Sequence, residues 1–151
     1  MTIRLSQFEA EDRNRFVSQH WVHTQAADEK QLITLTGIVL AHVKGTGSSW
    51  YRDELELVIR FPNVLPSGRW IRIEHWAPFI TINAIYNRHH AVNAGWAVDE
   101  FWGPGRILIT NGNPMTIHAR IAIRDVDGWL YRVGYNVTLS GGFAEPPEPP
   151  E

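Results

Sequence analysis

Between Leu32 and Leu139 apolar side chains recur at every second residue, in runs broken by Gly, Pro and Asn. A period of two places successive side chains on opposite faces of an extended chain, so such runs fold as strands with one face on a core. Residues 53–61 show it most cleanly: Leu55, Leu57, Ile59 and Phe61 share one face, and Glu54, Glu56 and Arg60 the other. That is the pattern of a half-buried antiparallel strand.

The same reading gives strands over about 32–43, 53–61, 69–76, 79–86, 91–98, 106–110, 115–124 and 129–139. Asp125-Val126-Asp127-Gly128 reads as a tight hairpin and Asn111-Gly112-Asn113-Pro114 as a second turn. Pro62 and Pro66-Ser67-Gly68 separate the second and third strands. Seven or eight short strands at this spacing predict an all-β fold, an antiparallel sandwich or a small barrel.

Residues 5–25 contain neither Gly nor Pro, and Ser6 followed by Glu9 has the spacing of a capping box. The expectation is one N-terminal helix over about 6–25, its apolar positions Leu5, Phe8, Phe16, Val17 and Trp21 lying against the strands. At 151 residues the chain fits one β domain over 1–143. The stretch 144–151, with four prolines and three glutamates, is expected as a disordered tail.

Composition excludes several classes. There is no cysteine, hence no disulfide, thiolate metal site or cysteine nucleophile. The formal net charge is −2, and three of the acids (Glu145, Glu148, Glu151) sit in the tail, which leaves a body without the basic stripe that nucleic-acid binding requires. No apolar run reaches the roughly 20 residues of a membrane helix, and the N-terminus is not signal-like. A cytoplasmic protein is expected, or a secreted one if a leader was removed.

The histidines are the main pool of acid–base or metal groups. His20 and His23 would share a helix face, yet a zinc site needs a third ligand that no spacing identifies, and no metal or cofactor is expected. His89-His90 falls in a polar interruption between apolar runs. His75 shares a face with Ile71 and Ile73, so an imidazole stands where a core side chain belongs, and a buried imidazole needs a partner and can become a general base.

The opposite face of that strand carries Trp70, Arg72, Glu74 and Trp76, and Trp96 and Trp102 flank the acids Asp99 and Glu100. Indole gives apolar area with a polar edge, as sugar and planar-ligand sites need. Three functional readings follow. The first is a binding module for a carbohydrate or small organic ligand, with Trp70, Trp76, Trp96 and Trp102 stacking and Arg72, Glu74 and Asn83 giving polar contacts. The second is a small cofactor-independent cyclase, isomerase or lyase, in which His75 with Tyr131 or Tyr135 moves protons inside a barrel. The third is a self-assembling structural subunit, and a near-neutral body is compatible with a homo-oligomer.

Overall fold

In a computed structural model, which describes residues 2–26, 28–45, 47–86, 95–102, 107–125 and 128–148, the chain is nearly all β, with 73% of it in strands and 3% in helix. The described elements are β1 (Thr2–Ser6), α1 (Ala10–Arg13), β2 (Phe16–Gln25), β3 (Gln31–Lys44), β4 (Gly47–Arg60), β5 (Trp70–Tyr86), β6 (Gly95–Trp102), β7 (Leu108–Ile109), β8 (Pro114–Asp125) and β9 (Trp129–Ala144). They form a four-stranded sheet ordered β1-β4-β8-β6 and a five-stranded sheet ordered β2-β3-β9-β5-β7, one of the two curled into a half-barrel. Each neighbouring pair is antiparallel except β1 on β4.

The two sheets face each other across one continuous core. The first contributes Leu55, Leu57, Ile59, Ile117, Ile121 and Ile123, and the second Ile33, Leu35, Ile73, Val133, Val137 and Leu139, all buried. The face assigned to the core in 53–61 is therefore the buried one. At about 25 cal/mol per Å² of apolar surface, this burial is the main term holding a cysteine-free chain together.

The N-terminal helix is a correction. Only Ala10–Arg13 is helical, and its N-cap is Glu9 without a side-chain bond. Ser6 is buried, its hydroxyl accepts the Phe8 amide at 3.2 Å, and its own amide donates to Asp12 at 3.1 Å. Those bonds close a turn after β1 instead of a capping box. Beyond it, Phe16–Gln25 pairs along β3 as a strand, because Val17, Trp21, Val22 and Thr24 are β-branched or aromatic and the neighbouring strand supplies the hydrogen bonds. The described strands number nine. Segments 69–76 and 79–86 are the single strand β5, which runs through Pro78 where it has β9 on one side and β7 reaches only Ile71 and Arg72. A missing amide costs no ladder bond on such a free side.

One-residue bulges shape both sheets. In β5 the register against β9 shifts between Ile73 and His75, and in β6 it shifts against β8 between Val98 and Glu100. Each leaves one extra residue, Glu74 or Asp99, and reverses which face the following side chains take, in β5 as far as the next shift after Ile82. The turn at Asn111 holds a third feature in place. Its side chain accepts the amides of Val64 and Leu65 at 3.1 and 3.0 Å and donates to the Leu65 carbonyl at 2.8 Å, fastening the segment after Phe61 across the end of the core.

Candidate functional site

The bulge at Glu74 decides the fate of the first group of candidates. Ile71 and Ile73 are buried, but His75 is exposed on the outer face of the five-stranded sheet, opposite Ser140, and Trp76 turns inward against the core. The expectation of a core imidazole at His75 is thus overturned, since period-two counting assumes an unbroken pleat. Trp70 and Arg72 remain on the outer face, and Glu74 pairs with Lys30 at 3.5 Å.

The other candidates separate likewise. Trp96 packs against the core, and its indole N–H donates to Asp125 at 2.9 Å. Asn83 belongs to β5, but its side chain lies outside the described set, as do residues 89 and 90. Trp70, Trp76, Trp96 and Trp102 therefore do not converge on one concavity. Tyr135 is buried between the sheets over Gly37, whereas Tyr131 is surface-exposed with its ring edge-on to His42 at 5.2 Å. Tyr135 is inside while His75 is outside, and Tyr131 lies nine residues along β9 from Ser140, the partner of His75, so the three form no proton-transfer cluster. His20 and His23, three apart on a strand, also point to opposite faces. Among the described residues no three His, Asp or Glu side chains gather as metal ligands.

Burial pushes the Tyr135 phenol from its ordinary 10.0 up to about 12, with the Gln19 side chain pulling the other way. The hydroxyl finds no hydrogen-bond partner of good geometry, the Gln19 amide being given to the Arg60 carbonyl at 3.2 Å. The raised pKa keeps the phenol neutral and makes it a weaker proton donor than an ordinary tyrosine.

The bulge at Asp99 has the opposite effect and builds a surface. Beyond it Glu100 and Trp102 face outward, opposite Arg120 and His118 on β8, which in turn stand opposite Glu54 and Glu56 on β4. Register then continues to Thr2 and Arg4 on β1. Two rows cross all four strands: Arg4-Glu56-His118-Trp102 and Thr2-Glu54-Arg120-Glu100.

Within the rows, Trp102 and His118 stack with centroids 5.5 Å apart and planes 7° from parallel. The Arg120 guanidinium lies 6.0 Å from the indole and pairs with Glu100 at 3.2 Å. Glu56 lies 3.3 Å from Arg4 and 4.0 Å from His118 Nδ1. Pairs this exposed contribute little to stability, about 0–1 kcal/mol each, so their alignment does not explain the fold. Beside them opens a shallow depression of about 380 Å³ lined by Thr2, Arg52, Asp53, Glu54 and Arg120.

Of this surface Trp102, Glu100 and, as one of the seven histidines, His118 were candidates from residue type alone. Glu56, His118 and Arg120 lie on strands expected at 53–61 and 115–124, whereas no strand was expected at Arg4, and nothing short of strand register brings the four into rows. Comparison with protein-family models, with curated proteins and with solved structures finds no match to this chain. Among the described residues no helix is long and apolar enough to cross a membrane.

Proposed function

We propose that this chain is a binding protein that takes a small carbohydrate-type ligand on the outer face of the four-stranded sheet. The observation that carries the reading is the stacked Trp102–His118 pair set beside carboxylate and guanidinium groups in register. His118 covers one indole face, and β6 pairs with no described strand on the side away from β8. A sugar ring presents C–H groups to such a face and hydroxyls around its rim, and Glu56, Glu100 and Arg120 supply acceptors and donors for them.

The 380 Å³ depression next to Arg120 falls within the range of small-ligand sites and would hold a second ring or substituent. Because the groups sit on paired strands, little ordering accompanies binding, which favours a modest but specific affinity.

Titration of tryptophan fluorescence with a panel of mono- and oligosaccharides tests the reading. We expect saturable change with at least one sugar, an affinity at least tenfold weaker in Trp102→Ala, consistent with about 1.4 kcal/mol or more from one stacking contact, and no weakening in Trp129→Ala. Binding that survives Trp102→Ala, or no response to any sugar in the panel, overturns it.

A further inference from the structure

Sheet edges expose backbone amides and carbonyls that can pair with any extended chain, and natural proteins blunt them with short strands, charges, prolines or bulges. Among the described residues four strands stand at sheet edges. Three are blunted: β7 has two residues, β1 has five and carries Arg4, and β6 carries Asp99, Glu100 and a bulge. The uncovered length of β5 carries Glu74 and Pro78.

The fourth, β2, is not blunted. Its ten residues, Phe-Val-Ser-Gln-His-Trp-Val-His-Thr-Gln, hold no Asp, Glu, Lys, Arg or Pro. Its single bulge, at Val17, lies near one end, which leaves Ser18–Gln25 in unbroken register with β3. Val17, Trp21 and Val22 are exposed apolar side chains, Trp21 at 47% and Val22 at 66%, and Leu32, on the neighbouring strand opposite Thr24, adds a fourth.

The hydrogen-bond phase shows which backbone groups are open. The Ala26 amide donates to the Lys30 carbonyl at 2.8 Å, and antiparallel ladders repeat every second residue. The amides and carbonyls of Thr24, Val22, His20 and Ser18 are therefore directed at β3, and those of Gln19, Trp21, His23 and Gln25 at the open side.

We infer that β2 is the interface of a homodimer, in which a second copy of this chain adds its own β2 antiparallel about a two-fold axis through Trp21. The axis sets Trp21 against Trp21 and Gln19 against His23, so each open backbone group meets another open one. An axis midway between two residues would pair an open residue with one already bonded to β3. Among axes through a residue, the one through Trp21 lies at the middle of Val17–Gln25 and brings the bulkiest exposed apolar side chain of the strand onto its mate. Because the strand carries no formal charge, copying it onto itself brings no like charges together, and a second copy matches the exposed apolar Val17, Trp21 and Val22 with the same apolar side chains. Trp21 and the inward-facing Leu35 beside it would then form one apolar row with their symmetry mates, and the two five-stranded sheets would become one of ten strands. This interface does not depend on the carbohydrate reading, whose rows lie on the other sheet.

The absence of cysteine makes the register directly testable. Directly opposed hydrogen-bonded residues have Cα atoms about 5.5 Å apart, inside the roughly 4.4–6.8 Å a disulfide accepts. A register centred on Trp21 sets Val22 two residues out of line with its mate. Sedimentation of the full chain at micromolar to 100 micromolar concentration should give twice the chain mass. Oxidised Trp21→Cys should run as a covalent dimer and Val22→Cys should not.

Trp21→Lys should sediment as a monomer with an unchanged far-ultraviolet circular dichroism spectrum. Hydrogen exchange gives a readout without substitution: the amides of Gln19, Trp21 and His23 should be protected when concentrated and lose protection on dilution, while those of His20 and Val22 keep theirs. A wild-type monomer throughout that range overturns the proposal and leaves the edge to a foreign extended peptide. A dimer that persists in Trp21→Lys, or cross-linking of Val22→Cys in place of Trp21→Cys, overturns it equally.

Discussion

At the scale of single residues, Tyr135 and Gly37 show how closely the two sheets are fitted. They are cross-strand partners on β9 and β3, and the phenol ring lies where any side chain at Gly37 would have to go. Glycine in a strand ordinarily weakens it, and an aromatic partner laid over it restores the lost packing. Because the folded pKa of Tyr135 is raised to about 12, the unfolded chain loses this proton first as pH rises.

Stability from this group is therefore complete below pH 10 and falls between about 10 and 12, by up to about 3 kcal/mol at roughly 1.4 kcal/mol per unit. Urea midpoints measured from pH 9 to 12 should show that decline, and Tyr135→Phe should reduce it while changing stability at neutral pH by less than about 1 kcal/mol, since it removes an unpartnered hydroxyl. An undiminished decline in Tyr135→Phe would place the alkaline transition elsewhere.

At the scale of elements, turns and bulges decide what the strands can present. Asn111 makes three side-chain bonds to the segment after Phe61, a loop that carries the buried Leu65. Asn111→Ala should lower unfolding free energy by about 2 kcal/mol or more, because two amides lose their acceptor. Asn111→Asp, which still accepts both, should lose less; equal losses in the two variants would assign the effect to the turn backbone. The helix expected over 6–25 failed at this same scale. Propensity is a weak prior, and a stretch free of Gly and Pro becomes a strand when a partner strand completes its hydrogen bonds and its aromatic and β-branched residues suit a pleat.

At the scale of the whole molecule, one apolar cluster joins both sheets, and β1 pairs with β4 across some fifty residues of sequence. Neither sheet keeps its buried face without the other. Unfolding is expected as a single transition, with tryptophan fluorescence and far-ultraviolet circular dichroism superimposing on one urea curve. Two separated midpoints would mean that the sheets unfold independently. Folding should be slow for the size, in milliseconds to seconds, since nearly every pairing is non-local.

The all-β class, the strands near 32–43, 53–61, 115–124 and 129–139, the buried face of 53–61 and the turn at Asn111 were legible from residue order. Each depends on contacts within a few residues, where the period of two and the needs of Gly, Pro and Asn act directly. The hairpin expected at Asp125-Val126-Asp127-Gly128 was not, since β8 and β9 lie in different sheets and residues 126 and 127 lie outside the described set. The outward His75, the inward Trp76, the Trp102–His118 stack and the open edge of β2 were not legible either. A single inserted residue reverses the side chains that follow it, and whether a strand tolerates the insertion depends on the partner it meets tens of residues away. Which strand ends at an edge is likewise a property of the order in which strands pair, and that order exists only once the sheets are assembled.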